Sequence, residues 1–406
     1  MTERSTPRPH VALILLNNTS LGGAERRFAQ VVTHLQRRKV AVAFVINESL
    51  LAGLVRAGVL SAETSPDLVI GERVGKLADA ILGRGEGTAA GSARSVRWTL
   101  AFFLRKLDYL IGCIRLGWWL RHRRPEVMHL VLGGAYVALP AQLGGWAPPG
   151  VLSMVCPDLR ESVGSGIGIP LYREALRRAR VVDALTESIR DMLVRQEGVP
   201  PARIRVSAGS VVDTERFRPA ETKRPWVVFV GRLIPEKNPR LFVEACALVH
   251  ARVPDARFFL FGDGELKADV TARLRALGLE SCTEIGWRDR VQDVLAEALV
   301  FVSLQRLDNY PSQALLEAMA CGTAVVATDV GLTWKLVDES VGVRVRATPE
   351  AVAEGVTSLL ADPPKAVAMG RRGRERVIQQ HSIDAYLDYL ERLYDLARRS
   401  ESAAAE

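Results

Sequence analysis

Asp308-Asn309-Tyr310-Pro311-Ser312-Gln313-Ala314-Leu315-Leu316-Glu317-Ala318-Met319-Ala320-Cys321-Gly322 is followed at once by Thr323-Ala324-Val325-Val326-Ala327-Thr328. A polar, turn-forming loop runs into an apolar helical stretch, a glycine closes the helix, and a short apolar strand follows. The same grammar recurs along the chain. Val11–Leu16 leads through Gly22 and Gly23 into a helix from Ala24 to Arg37, and Val40–Ile46, Val127–Leu132 and Val151–Val155 read as further strands. Beyond a polar, proline-bearing stretch at Arg216–Arg224 the pattern restarts with Trp226–Val230, Arg257–Phe261, Val300–Leu304 and Ala324–Thr328. Strands alternating with helices predict α/β domains with parallel sheets covered on both faces, and ligands at the carboxyl ends of the strands. The restart divides the chain into residues 1–218 and 219–382, with a final helical segment over 383–406.

Composition narrows the class. A chain of 406 residues, 48% hydrophobic and 25% charged, has material for two globular cores. Its five cysteines are scattered, odd in number and without CxxC spacing, which argues for reduced thiols in the cytoplasm and against disulfides or a zinc site. Val11–Leu16 is too short for an export signal and ends in Asn17-Asn18, so it reads as a buried strand. The net charge of +8 suits nucleic acid, anionic membrane and anionic substrates equally, but no nucleic-acid-binding motif accompanies it.

Several motifs carry chemistry. The start of the helix after Ser312 presents unpaired backbone N–H groups to an anionic or oxygen-rich ligand, and Glu317 suits two neighbouring hydroxyls such as a ribose offers. Gly231-Arg232-Leu233-Ile234-Pro235-Glu236-Lys237-Asn238 follows a strand directly. Its two cations, a planar fork and a point charge, suit the two phosphates of a diphosphate. Gly262-Asp263-Gly264 is a tight turn at the end of another strand, with Asp263 expected to cap the next helix. Gly286-Trp287-Arg288 closes the strand after that. Gly22-Gly23-Ala24-Glu25-Arg26 is not the GxGxxG dinucleotide fingerprint, so a nicotinamide cofactor is not expected.

Taken in order, these motifs resemble those of retaining, two-domain nucleotide-sugar glycosyltransferases of family 4 (glycosyl transferases group 1), in a branch with an Asn-Tyr-Pro-Ser-Gln donor loop. The resemblance is dense from Val206 to Val345 and thin between Leu50 and Val151. It implies the GT-B fold, two Rossmann-like domains facing across a cleft, with the terminal helix crossing back to the first domain. It implies a donor held by Gly22, Gly23, Gly262, Gly264, Trp287, Arg288, Asn309, Ser312, Gln313 and Glu317. Arg232 and Lys237 would act on the leaving diphosphate in place of a divalent metal, and no Asp-x-Asp metal motif occurs. The acceptor would be a glycan or a lipid-linked sugar, and the route cell-surface polysaccharide or lipopolysaccharide synthesis. Asn309 stands where most members carry glutamate. Cys156-Pro157-Asp158 stands where many carry histidine, making Asp158 the catalytic candidate there. His129 matches a strand end facing the cleft and is the acceptor-side candidate. Two rivals share this fold: a nucleotide-sugar epimerase, for which Asp158 and His129 are the visible acid–base candidates, and a non-catalytic nucleotide-sugar-binding paralogue.

The stretch from Trp98 to Arg121 is set apart by composition. Apolar residues recur at helical spacing beside arginines and tryptophans, after the flexible Gly83–Ser92 loop. Arg105, Lys106, Asp108 and Arg115 within it rule out a membrane span. Packing on the sheet and lying on an anionic membrane at the inner face both fit such a helix.

Overall fold

The computed structural model describes residues 10–16, 23–61, 63–71, 92–156, 158–159, 168–207 and 209–399, with backbone alone at residue 23 and residues 92–106. The chain divides into two units. The first runs through Ser207 and resumes at Leu387, and the second ends at Tyr386. The expected division at 218 is therefore too late. Val212 bridges Ser382 in parallel, its N–H donating 2.8 Å to His381 O, and Phe217 lies in the second unit's core. Those contacts draw the polar linker into the second unit.

The first unit holds seven parallel strands: β1 (Val11–Leu16), β2 (Val42–Asn47), β3 (Leu68–Ile70), β4 (Val127–Leu132), β5 (Gly150–Met154), β6 (Val181–Ala184) and β7 (Ile204–Val206). Their order is β3-β2-β1-β4-β5-β6-β7. The second unit holds β8 (Arg224–Val230), β9 (Arg257–Phe261), β10 (Thr283–Gly286), β11 (Ala298–Ser303), β12 (Ala324–Thr328) and β13 (Gly342–Val345), in the order β10-β9-β8-β11-β12-β13. Helices on both faces bury the sheets, so β1, β2 and β4 are buried at every residue and apolar but for Asn47 in β2 and His129 in β4. The predicted strands are present with small shifts at their ends. The short β3, β6, β7 and β13 were not predicted, being too brief to show a period, and β6 carries a buried aspartate.

The helix predicted from Trp98 to Arg121 spans Ser92–Arg123, and Cys113, Leu116, Trp119 and Leu120 bury one of its faces in the first core. Among the described residues no helix is long and apolar enough to cross a membrane. The Gly83–Gly91 loop lies outside the described residues, as does Gly22.

His129 corrects an expectation. It is fully buried within β4, not at a ligand-facing strand end. Its Nε2 lies 2.8 Å from Ser153 Oγ and its Nδ1 2.9 Å from Tyr394 OH on the terminal helix Ile383–Arg399. Ser153 in turn donates to Asp183 Oδ2 (2.6 Å), and Tyr389 OH donates to Asp183 Oδ1 (2.7 Å). One protonation pattern satisfies the chain: Ser153 gives its proton to Asp183 and accepts from Nε2–H, leaving Nδ1 to accept from Tyr394. Burial pushes the imidazole pKa down to about 3, so the ring is neutral. His129 therefore ties the terminal helix to the first sheet through hydrogen bonds and is not an acceptor-side group.

This strut sets a pH dependence. Unfolded His129 takes up a proton below its ordinary value near 6.5, while the folded ring does not until about 3. Its contribution is thus complete above 6.5 and is lost as the pH falls through that interval, by up to about 1.4 kcal/mol per unit. Burial raises the Asp183 carboxyl against the hydrogen bonds of Ser153 and Tyr389 and the charge of Arg27, and this works the opposite way. Between its ordinary and its raised pKa, stability falls as the pH rises. Urea midpoints of the parent and His129→Asn at pH 7.5 and 5.0 separate the two groups. The parent is expected to lose about 1–2 kcal/mol more than the variant on acidification, and equal losses would remove His129 as the source.

Candidate active site

Because the six strands of the second sheet run parallel, the loops after β8, β9, β10, β11 and β12 open on one edge. Backbone hydrogen bonds lace the first three together. Gly231 N–H donates to Phe261 O (3.0 Å), Leu233 N–H to Asp263 O (2.9 Å), Leu266 N–H to Leu233 O (2.9 Å) and Gly262 N–H to Gly286 O (2.8 Å). The lacing needs glycine. Gly262 (φ 150°) would carry a Cβ 1.9 Å from Gly231 O, and Gly264 (φ 156°) one 2.5 Å from Leu233 O. The backbone of the cationic loop accounts for both glycines. Asp263 does not cap the following helix as expected. Its Oδ1 accepts from Gly264 N–H (3.0 Å) and lies 3.4 Å from Lys267 Nζ, while the cap position falls to Leu266.

Between the laced positions the cationic loop alternates, with Leu233 buried and Arg232 exposed. A 3-10 turn, Pro235–Lys237, then brings Lys237 inward, and Asn238 takes the left-handed conformation (φ 56°) that starts the next helix. Lys237 Nζ donates to Gln305 Oε1 at 2.9 Å, just beyond β11. Arg306 N–H donates to Glu236 O (2.9 Å), and Thr328 Oγ1, at the end of β12, donates to Gln305 O (2.7 Å). Burial lowers the Lys237 pKa, and the charge of Arg232 lowers it further against a smaller opposing effect of Glu236. Neither cation has a carboxylate within ion-pairing distance among the described residues. Two like charges crowded this way gain most from an anion carrying two charged groups.

The loop after β11 is held by Asp308, whose Oδ1 accepts from the N–H groups of Tyr310 (3.2 Å) and Leu332 (3.2 Å). Ser303, Gln305, Asn309, Tyr310, Ser312 and Thr333 line a small pocket there. Ser312 occupies the cap position of the helix Gln313–Ala320 without a side-chain hydrogen bond to it. Gln313 Nε2 donates to Glu317 Oε1 (3.1 Å) and to Val211 O (3.2 Å). Burial raises the Glu317 pKa, offset in part by the Gln313 amide and the charge of Arg216.

The match between these elements and a known domain is direct. Residues 211–376 match the family model for glycosyl transferases group 1. This segment is a group 1 glycosyl transferase domain. The alpha-maltose-1-phosphate synthase of Mycolicibacterium smegmatis is 30% identical over 261 residues, 56% of this chain and 66% of that protein. The alpha-D-kanosaminyltransferase of Streptomyces kanamyceticus is 29% identical over 270 residues, 60% of this chain and 67% of that protein. The chain thus spans about two thirds of the length of these curated relatives. The crystal structure of Anabaena HepE in complex with UDP superposes with a TM-score of 0.65 over 94% of this chain and 98% of that one, at 15% identity. The fold is GT-B, with two parallel-sheet Rossmann-like domains.

Within the group 1 domain Arg232, Lys237, Asn309 and Ser312 lie on loops at one sheet edge, and Gln313 and Glu317 lie on the helix that the last of these loops enters. The structure directs two other candidates differently. Trp287 is 76% exposed with Nε1 donating to Asp289 Oδ1 (3.0 Å), and Arg288 donates to Glu284 Oε1 (2.6 Å) over the Phe261 ring. In the first unit, Gly23 begins the helix Gly23–Arg37 and Asp158 is exposed beyond β5. Gln305 escaped the sequence reading, because its only local signal is a polar residue at a strand end.

Gly262→Ala is expected to lower the thermal midpoint and to weaken nucleoside-diphosphate binding, since its Cβ cannot coexist with the Gly231 carbonyl. Gly278→Ala, also at positive φ (67°) but with no atom within 4 Å of the added Cβ, carries backbone strain alone, about 1–3 kcal/mol. Diphosphate binding measured on both variants separates lacing from general strain, and an equal loss in the two would refute the lacing role.

Proposed function

We propose that this chain transfers a sugar from a nucleotide-diphosphate sugar to a glycan or lipid-linked acceptor, with retention of configuration, as family 4 enzymes do. The observation that carries this reading is the loop bearing Arg232 and Lys237, with Lys237 hydrogen-bonded to Gln305 at the start of the loop that leads through Ser312 into the helix of Gln313 and Glu317. The diphosphate would lie on the two cations, the ribose hydroxyls on Glu317, and the sugar hydroxyls on the backbone N–H groups of Ser312 and Gln313. Asn309 adds an amide where a carboxylate is usual, so the neutral donors of the helix start carry the recognition.

In the step itself the acceptor oxygen bonds to the anomeric carbon on the face from which the phosphate leaves. The bond from that carbon to the phosphate oxygen breaks, and the acceptor proton passes to an oxygen of the departing phosphate. Negative charge grows on the diphosphate, where Arg232 and Lys237 stabilise it without a metal. No protein base is required. The epimerase reading loses one of its two acid–base candidates with His129 in the core, which favours transfer. All five cysteines are unbridged thiols, in keeping with a cytoplasmic reaction in cell-surface polysaccharide or lipopolysaccharide synthesis.

A screen of UDP-, GDP-, ADP- and dTDP-sugars for binding and slow hydrolysis tests the donor class, and failure of all of them would sink the proposal. Arg232→Ala and Lys237→Ala are each expected to lower kcat/KM by about 10²–10³-fold, and unchanged turnover would remove the diphosphate assignment. Glu317→Gln is expected to weaken the nucleotide more than the chemical step.

Lys237 adds a pH signature. The cation is needed for the diphosphate and its pKa lies below the ordinary 10.5. Nucleoside-diphosphate affinity is therefore expected to decline as the pH rises, beginning before an ordinary lysine would titrate. Lys237→Arg is expected to flatten that decline, and an identical profile in the variant would assign it elsewhere.

A further inference from the structure

The helix Ser92–Arg123 is apolar on two opposite faces, and the core uses only one of them. Leu107, Leu110, Ile111, Ile114 and Trp118 recur at spacings of three and four, which places them on a single stripe. That stripe faces outward: Ile114 is 72% and Trp118 62% exposed, and the other three are also exposed. Trp146, 39% exposed, extends it, because its ring packs where a Cβ on Gly117 would stand, 2.8 Å from the nearest ring atom. Scattered exposed apolar residues are ordinary on a protein surface, whereas a contiguous stripe of this size marks an interaction site.

Charge identifies the occupant. Arg115, Arg121 and His122 are exposed too, with the Trp118 and His122 ring centroids 4.0 Å apart and the rings tilted by 34°. Over residues 92–124 the sequence carries Arg94, Arg97, Arg105, Lys106, Arg115, Arg121, Arg123 and Arg124 against one acid, Asp108, and of these Arg123 is ion-paired with Asp67. A second copy of this chain would bring the same cations face to face. An anionic bilayer offers hydrocarbon for the stripe and lipid phosphates for the arginines, and tryptophan suits the boundary between them. The helix would lie in the interface, since no described helix can cross a membrane.

We infer that the outward face of this helix, from Leu107 to Trp118, docks the protein on an anionic membrane surface. The inference is independent of sugar transfer, because docking is measured without donor or acceptor and either reading can fail alone. Trp119 lies in the core, so its replacement would test folding and is no probe of docking.

The test is co-sedimentation with phosphatidylcholine vesicles, with and without phosphatidylglycerol, at low and high salt. The parent is expected to bind the anionic vesicles and to release as salt screens the arginines. An Ile114→Gln/Trp118→Gln double variant is expected to bind at least about tenfold more weakly, with unchanged circular dichroism. An Arg115→Glu/Arg121→Glu variant is expected to lose its preference for anionic vesicles. Absence of parent binding, or equal binding by the Ile114/Trp118 variant, would overturn the inference. A change in oligomeric state on sedimentation, with vesicle binding unaltered, would overturn it too and assign the stripe to a second copy.

Discussion

Parallel pairing ends every strand of a sheet on the same edge, and the rest of the candidate site depends on that constraint. The loops after β8, β9, β10, β11 and β12 have no other edge on which to open. Residues as distant in sequence as Arg232 and Glu317 are thereby brought onto one edge. What parallel pairing does not supply is a fixed shape for those loops. Here backbone hydrogen bonds between neighbouring loops provide it, with glycine at the two points where one loop lies against the next.

The electrostatics follow from that shape. Lacing fixes the backbone of the cationic loop, and there burial, with the charge of Arg232 added to it, lowers the Lys237 pKa. Gln305 answers Lys237 with a neutral oxygen, so this hydrogen bond brings no opposite charge to the lysine. Cations held in place by the fold before an anion arrives are the condition for electrostatic preorganisation. Glu317 shows the reverse arrangement: burial raises its pKa while Gln313, one turn earlier, spends an amide proton on it.

Much of this was legible in the sequence, for identifiable reasons. Apolar runs as short as Val11–Leu16 and Ala324–Thr328, bounded by turn-forming residues, read as buried strands, and the loop after each strand follows directly, so the sheets and the places of Arg232, Lys237 and Glu317 along them could be read. Three kinds of feature could not. Short strands such as Val181–Ala184 have too few residues for a period. The partner of a side chain is a property of the fold, so nothing around His129 announced Tyr394, which lies 265 positions away. Glycines look alike in sequence whether they make room for a ligand or for another loop, and nothing around Gly262 and Gly264 announces that the adjacent backbone requires them.

The terminal helix gives the chain an order of assembly. It starts among residues of the second unit, and from Leu387 it belongs to the first. On a ribosome, the first sheet is made early but its buried polar chain lacks Tyr389 and Tyr394 until the whole second unit has been synthesised. During that interval His129 and Asp183 are without those two partners and must remain hydrated or hydrogen-bond elsewhere. The first unit therefore completes its core last, although it is translated first.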